Sequence, residues 1–272
     1  MIDPIRHFQG LAELPDDHIN LAEAALAIAA TEYYELDPEP WIEALDRLAA
    51  RVQAGPERSA LTNIAALNKV LFEEENFSGN SEEYDDPRNS FLNDVLEHKK
   101  GIPITLSLVY TEVAQRKGLP LVGVGFPGHF LVKHPGPPSE IVIDPYHRGT
   151  VLSHADCAAL LEENFGPEAE LKSEYFAAAT RKQILSRMLN NLKGSYYRRN
   201  NYPKVLIMIE LALATGLDVV NNVRDRGMVY FAMRRYSEAV GELKTYLNLA
   251  GKDDPEVQEV LVMLGRIKGM MN

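Results

Sequence analysis

Cysteine, positive charge and long apolar runs are all scarce in this sequence, and each shortage argues against a class of protein. One cysteine in 272 residues excludes an internal disulfide and a zinc site made of several thiolates. Lys and Arg number 28 against 39 Asp and Glu, and the net charge of −11 argues against binding to nucleic acid or to an anionic membrane. No apolar run reaches the length of about 18 residues that a membrane-spanning helix needs. The first residues, MIDPIRHFQG, lack the basic and apolar regions of a signal peptide, so we expect a cytoplasmic protein.

Residues 1–75 show a helical pattern without the side chains typical of a catalytic site. The stretches INLAEAALAIAATEYYELD, PWIEALDRLAARV and SALTNIAALNKVLFEE repeat apolar residues at helical spacing, and Ser59 stands where an N-cap belongs. A polar loop with clustered acidic residues follows at 76–89. We predict that 1–75 forms a helical layer that packs on another part of the protein.

A buried helix is predicted in the stretch GIPITLSLVYTEVAQRKG. Gly101 and Gly118 bracket it, and Pro103 takes a first-turn position, where its missing N–H costs nothing. No charged residue occurs between Ile104 and Tyr110, so this half of the helix should be buried. Residue 103 would then lie at a buried helix N-terminus, an environment that stabilises a thiolate where a cysteine is present.

Three short runs typical of strands follow this helix: LVGVGF, HFLVKH and EIVIDPY. The residues PGPP at 135–138 predict a turn between the last two runs, which would then form an antiparallel hairpin. Pairing centred on that turn places His129 opposite Asp144 and Lys133 opposite Glu140, and the opposite charges of the second pair favour this register. The pattern therefore predicts that one ring nitrogen of His129 lies within hydrogen-bond reach of an Asp144 oxygen.

The block from NSFLNDVLEHKKGIPITLSLVY through FPGHFLVKH to IVIDPYHRG resembles the core of the transglutaminase-like superfamily. More narrowly, it resembles the bacterial SirB-type family, in which tetratricopeptide-like helices follow this core. The resemblance implies an α+β fold of the transglutaminase/papain type, with a central helix packed on a small antiparallel sheet. In catalytic relatives a Gly-x-Cys sequence opens that helix, and a His and an Asp lie on adjacent strands. An ungapped match places Gly101 on the glycine, Pro103 on the cysteine, and His129 and Asp144 on the His and the Asp.

The proline at the nucleophile position decides which chemistry the resemblance allows. Proline has no nucleophilic side chain, so acyl-enzyme chemistry cannot run through Pro103. Ser107, one turn further along the same helix face, is an alternative nucleophile, although a serine there more often bonds back to a helix carbonyl. Cys157 lies in SHADCAALLEE, where Ser153 and Asp156 form a capping box, and we interpret it as a buried structural thiol.

The His129–Asp144 pair has several interpretations. A core histidine satisfied by one carboxylate is most often structural; otherwise the pair marks a retained ligand-binding cleft or general-base chemistry. A metal site of His129, Asp144 and His147 has a suitable composition, but His147 falls beyond the end of the predicted strand. We therefore expect no metal and no cofactor.

The C-terminal part of the chain carries a degenerate helical repeat. The stretches NNLKGSYYRRNNYPKVLIMIELALATG and VRDRGMVYFAMRRYSEAVGELKTYLNLAG align Gly194 with Gly227, a period of 33 residues, close to the tetratricopeptide period of about 34. Ala239 and Leu243 match the small and the large apolar residue of that motif. Two repeats are fewer than the roughly three that stability requires, so we expect their apolar side chains to need the core domain as a neighbour.

The chain is thus predicted to contain a helical region at 1–75, a transglutaminase-like core at 76–165 and a tetratricopeptide-like region at 175–272. A linker is expected around residues 164–174, in the stretch NFGPEAELKSE. Helices before and after a small sheet make this an α+β protein.

The favoured function is non-catalytic: a protein-binding or regulatory role that uses an inactivated enzyme cleft and takes a protein or peptide partner. One alternative is a hydrolase or amide-transfer enzyme that uses His129 and Asp144 with Ser107 or an external nucleophile. Another is a scaffold that acts only through the repeats. The sequence names neither a substrate nor an oligomeric state.

Overall fold

The structure, a computed structural model, describes residues 3–55, 57–136, 140–251 and 253–271. The chain divides into two compact units, Met1–Met188 and Leu189–Asn272. The first unit combines helices with a small antiparallel sheet, and the second is helical, which confirms the predicted α+β fold. This division differs from the three segments predicted above, whose boundaries stay a prediction.

The N-terminal part of the first unit is helical, as the apolar spacing predicts. Its helices are α1 (Pro4–Ala12), α2 (Leu21–Ala29), α3 (Glu39–Arg51), α4 (Ala60–Asn68) and α5 (Leu92–His98). Ser59 is the N-cap of α4, since its side chain accepts a hydrogen bond from the Thr62 N–H. A π-helical segment, Lys69–Glu74, continues α4. The helix α1, with only Phe8 and Ala12 buried, was not among the predicted helices.

The predicted central helix is present as α6 (Pro103–Arg116). Pro103 is its first residue, and all residues from Pro103 to Tyr110 are buried. The Thr105 hydroxyl fixes the start of the helix, because it accepts from the Ile102 N–H at 3.2 Å and donates to the Asn89 carbonyl at 2.7 Å. The chain leaves the helix through Gly118, whose φ of +68° favours glycine.

A four-stranded antiparallel sheet follows α6. Its strands, in spatial as in chain order, are β3 (Val122–Val124), β4 (Leu131–His134), β5 (Ile141–Asp144) and β6 (Thr150–Leu152). Two earlier strands, β1 (Ser78–Gly79) and β2 (Lys100–Gly101), form a separate parallel pair. The predicted hairpin of β4 and β5 is therefore present.

The register of that hairpin differs from the predicted one by two residues. Lys133 pairs with Val142, whereas the prediction placed Lys133 opposite Glu140 and His129 opposite Asp144. His129 precedes β4 and has no partner position in the ladder. A shift of two residues leaves every side chain on the same face of the sheet, so the apolar alternation fits both registers equally well.

The ion pair of Lys133 and Glu140, which favoured the predicted register, is present although the register is different. The Lys133 ammonium donates to the Glu140 carboxylate at 2.7 Å, because a long side chain reaches a diagonal neighbour as well as a direct one. The predicted turn at 135–138 lies partly outside the described residues. Neither the apolar alternation nor the Lys133–Glu140 pair could therefore distinguish two registers that differ by two residues.

Helices cover both faces of the sheet. The central helix α6 packs against β3 and β4, and α7 (His154–Phe165) begins at the predicted capping box of Ser153 and Asp156. The apolar cluster that includes α7 comprises Val124, Phe126, Leu131, Val142, Cys157 and Leu161.

The second unit contains the helical repeat. The helices of this part of the chain are α8 (Arg181–Arg198), which starts in the first unit, and α9 (Tyr202–Ala214), α10 (Val219–Ala232), α11 (Tyr236–Leu249) and α12 (Val257–Met271). Glycine at 227 lets α10 approach α11, since a Cβ there would lie 2.8 Å from Leu243 Cδ2.

The repeats carry an apolar core of their own. Buried members of this core are Val223, Ala239, Leu243, Tyr246, Val260 and Ile267. Leu213, Met228 and Phe231 are partly buried against them. The expectation that the repeats cannot bury their own apolar faces is therefore wrong, because α12 adds a further apolar face that the two-repeat alignment did not include.

Among the described residues, no helix combines the length and the apolar composition that crossing a bilayer requires.

Candidate functional site

The candidate site is built around a buried histidine and a buried aspartate. His129 Nε2 and Asp144 Oδ2 are 2.9 Å apart, so the predicted contact is present. Asp144 ends β5, and His129 stands in the loop before β4, where only 7% of its surface is exposed. Because Nε2 faces the carboxylate, Nδ1 is the ring nitrogen left to accept a proton from another group.

The Asp144 carboxylate has four donors around it. Oδ1 accepts the backbone N–H groups of Tyr146 at 2.9 Å and of His147 at 3.3 Å. Oδ2 faces both His129 Nε2 and, at 2.7 Å, His147 Nδ1. Burial by itself raises the pKa of Asp144, but the hydrogen bonds and charges of His129 and His147 outweigh it and lower that pKa below its ordinary value.

His147 belongs to the site, although its place beyond the end of the predicted strand argued against this. The chain turns directly after β5, and the Gly149 N–H returns to the Asp144 carbonyl at 2.8 Å. This turn brings the His147 ring to 5.9 Å from the His129 ring in a stacked arrangement, 19° from parallel. The turn residues themselves were the available signal, since Gly149 has a φ of +72° that favours glycine.

Tyr146 lies edge-on to both imidazoles. Its ring centre is 5.8 Å from that of His129 and 5.1 Å from that of His147. Gly79 in β1 makes room for it, because a Cβ at residue 79 would lie 2.4 Å from the Tyr146 ring. The strand pair β1–β2 therefore positions the aromatic side of the site.

Arg187 on α8 holds the loop that carries His129. Its guanidinium donates to the Phe126 carbonyl at 3.0 Å and to the His129 carbonyl, and it lies over the Phe130 ring at 5.5 Å. Burial lowers the pKa of Arg187. Sequence reasoning missed this residue because it lies 58 positions from His129 and no local pattern links the two.

Neither the alternative nucleophile Ser107 nor the thiol of Cys157, which was predicted to be buried and structural, is available to the pair. Ser107 is fully buried, and its hydroxyl donates to the Phe130 carbonyl at 3.4 Å rather than to a helix carbonyl or to His129. Cys157 is 1% exposed in the apolar cluster. Burial, together with the charges of Asp156 and Asp144, raises its pKa to about 11, so the thiol stays protonated at neutral pH.

Two groups of side chains in the described part of the chain have donor atoms close enough to share a cation. One group is His129, Asp144 and His147, with donor atoms within 4.8 Å of one another. The other is Asp94, Glu97 and His98 near the end of α5. Asp94 of the second group already accepts the Tyr33 hydroxyl at 2.6 Å.

Comparison with known proteins gives two matches to family models. A model described as the transglutaminase-like superfamily matches residues 39–190, and one described as a tetratricopeptide repeat matches residues 192–265. The first match contains every residue of the site described above.

Individual relatives are similar over different lengths. A UPF0162 protein of Xylella fastidiosa is 32% identical over 270 residues, which cover 97% of this chain and 95% of that protein. A UPF0162 protein of Vibrio cholerae is 29% identical over 244 residues, 87% of this chain and 88% of the relative. F-box only protein 21 of Homo sapiens is 28% identical over 184 residues, 64% of this chain but 28% of that protein.

Proposed function

Because the chain belongs to the transglutaminase-like superfamily and, within it, to the SirB-type UPF0162 proteins, we propose that it is a non-catalytic protein that binds a protein or peptide partner. One observation carries the proposal. Pro103 occupies the first position of α6, where the family resemblance places the nucleophile, while the His129–Asp144 pair is retained. With proline at residue 103, the pair lacks the thiol that it would activate in the catalytic relatives.

The surroundings of the pair support a non-catalytic role. The Ser107 hydroxyl donates its hydrogen bond to the Phe130 carbonyl, and the Cys157 thiol is protonated and buried. A retained His–Asp pair that lacks the nucleophile of the catalytic relatives is suited to contacting a ligand without converting it. His147, whose side chain is 60% exposed, joins the buried pair to the surface.

The second unit supports a protein or peptide as the partner. Tetratricopeptide repeats present concave surfaces that serve in binding. Here a cavity of about 400 Å³ opens among α8, α9, α10 and α12, with Tyr197, Met228 and Val229 among its lining residues. The net charge of −11 disfavours nucleic acid and anionic membranes as partners. Cytoplasmic residence is part of the proposal, and the single cysteine agrees with it.

The catalytic half of the proposal is tested by assays of transamidation, deamidation and peptide hydrolysis on the purified full-length protein. We expect no turnover. Turnover that Ser107→Ala abolishes, while the matched buried-serine control Ser195→Ala retains it, would establish the enzyme alternative instead. Both serines are less than 5% exposed, so the two variants have similar costs in packing.

The binding half is tested by affinity capture from bacterial extract with three baits: wild type, His147→Ala and Tyr197→Ala. Both side chains are more than half exposed, so neither change should unfold the protein. We expect the wild type to retain a partner that His147→Ala loses. Loss only with Tyr197→Ala would favour a scaffold acting through the repeats, and no retained partner would contradict the proposal.

A further inference from the structure

We propose that His129, Asp144 and His147 bind one divalent first-row transition-metal ion, of the Zn²⁺ class. This inference goes beyond the proposed function, because an ion could bind at this position whether or not a protein or peptide partner is present. It rests on geometry: three donor atoms, one from the loop before β4 and two from the end of β5 and the turn after it, lie within 4.8 Å of one another.

The donor atoms are already close to a coordination geometry. Asp144 Oδ2 lies 2.9 Å from His129 Nε2 and 2.7 Å from His147 Nδ1, and all three atoms lie within 4.8 Å of one another. Bonds of about 2.0–2.2 Å in a tetrahedron would separate the donors by about 3.3 Å. The ion would replace the two hydrogen bonds to Oδ2, and each nitrogen–oxygen distance would lengthen to about 3.3 Å.

The carboxylate is oriented for this role. The backbone N–H groups of Tyr146 and His147 occupy Oδ1 and leave Oδ2 directed at the imidazoles. Hydrogen bonds of this kind around a ligating carboxylate fix its orientation and raise the affinity of a site. The turn is fixed as well, since the Thr150 hydroxyl donates to the His147 carbonyl at 2.6 Å.

The donor set selects the class of ion. Two imidazole nitrogens with one carboxylate oxygen suit zinc and its first-row neighbours, whereas Mg²⁺ and Ca²⁺ prefer oxygen donors throughout. His129 and Asp144 are buried, and the His147 side chain is 60% exposed, so the group meets solvent on the side of His147. Three protein ligands leave a fourth position to water or to a partner group.

The experiment uses full-length protein freed of metal with a chelator and then titrated with Zn²⁺ by calorimetry and with Co²⁺ by visible absorption. The variant His147→Ala removes one exposed ligand. The control His98→Ala removes the histidine of the Asp94, Glu97 and His98 group. Thermal unfolding of all three metal-free proteins checks that each is folded.

We expect the wild type and His98→Ala to bind one Zn²⁺ per chain, with a Co²⁺ spectrum typical of low coordination. His147→Ala should weaken binding by about 100-fold or more, since loss of an outer partner alone costs about 10–100-fold. The proposal is overturned if the wild type binds no Zn²⁺, or if His147→Ala binds as tightly as the wild type. Affinity lost in His98→Ala would assign the ion to the other group. Partner capture in the presence of chelator tests the proposed function separately, so the two failures are distinguishable.

Discussion

At the scale of single residues, Asp144 organises the site. Its buried carboxylate meets two imidazoles and two backbone N–H groups, so that removing it leaves several buried donors without an acceptor. Pro103 shows the opposite case, because a residue with no hydrogen-bonding side chain occupies the start of the central helix. The family resemblance places the nucleophile at the position of Pro103, and this proline is the basis of the non-catalytic proposal.

We predict that Asp144→Asn destabilises the protein by about 3 kcal/mol at pH 7, because it breaks a buried charged hydrogen-bond group. The pKa of Asp144 is lowered in the folded state. The contribution of the ionised carboxylate to the free energy of unfolding is therefore fully present above the ordinary aspartate pKa of about 3.9. It is lost as the pH falls through the lower pKa of the folded state. Urea unfolding of both proteins between about pH 2 and pH 5, where ordinary imidazoles are already protonated, measures this. A difference in the free energy of unfolding between the two proteins that stays constant down to the lowest pH would contradict this prediction.

We predict that Pro103→Cys creates a thiol with a pKa below the ordinary value of about 8.5, since it would lie at a buried helix N-terminus and the family resemblance places it beside the retained pair. The rate of alkylation by iodoacetamide as a function of pH gives that pKa. Cys157 is an internal reference, because its pKa is raised to about 11 and it is buried. In Pro103→Cys with His129→Gln the thiol pKa should return towards the ordinary value, and an identical pH profile in both variants would show that residue 103 does not meet His129.

At the scale of elements, the turn after β5 decides where His147 lies. Asn68 at the end of α4 holds this turn, since its amide donates to the Gly149 carbonyl at 2.8 Å and accepts the Tyr110 hydroxyl at 2.9 Å. Arg148 adds a hydrogen bond to the Phe72 carbonyl. Helices α4 and α6 thus act on the site through one side-chain amide, at a distance along the chain that no motif reveals.

We predict that Gly149→Ala destabilises the protein more than Gly118→Ala, although both glycines have a left-handed φ, +72° and +68°. At Gly118 a Cβ meets nothing within 4 Å, so the cost is the backbone strain of about 1–2 kcal/mol. At Gly149 a Cβ would lie 2.0 Å from Asn68 Oδ1, and displacing that amide adds about 1 kcal/mol for each hydrogen bond lost. Urea unfolding compares the two variants, and equal losses would mean that Asn68 does not hold the turn.

At the scale of the whole molecule, α8 matters to the first unit despite its place in the C-terminal part of the sequence. The first unit extends to Met188 and includes the N-terminal half of this helix. Asp16 caps the helix by accepting the N–H groups of Arg181 and Lys182 at 3.0 and 2.9 Å. Arg187 holds the loop of His129. The predicted linker at 164–174 therefore precedes residues that the first unit needs.

We predict that a fragment 1–174 fails to unfold cooperatively, whereas a fragment 1–198, which keeps all of α8, unfolds in one transition. The reason is internal to the first unit: the shorter fragment loses the buried Leu185 and Met188 together with the contacts of Arg187. Thermal unfolding followed by circular dichroism compares the fragments. A sharp transition in 1–174 with the stability of 1–198 would show that α8 is dispensable to this unit.

The sequence by itself determined the local elements and the identity of the buried pair. Pro103 and Gly118 delimit α6, Ser59 caps α4, and Ser153 with Asp156 opens α7, because caps and first-turn residues act within a few positions of where they stand. The alternation of side chains between the two faces of β4 and β5 is a property of each strand alone, so it was predicted correctly although the predicted register differed by two residues.

Only the tertiary structure decided the register, the place of His147 and the role of Arg187. Each depends on contacts between segments that are far apart in the chain or joined by a tight turn. A register shift of two residues, a turn after a strand, or a guanidinium from a distant helix does not change the local spacing of apolar residues. The apolar core of the repeats was decided in the same way, since α12, which the two-repeat alignment did not include, contributes Val260 and Ile267 to that core. Local patterns specify elements through neighbouring residues, while the site is assembled by packing between those elements.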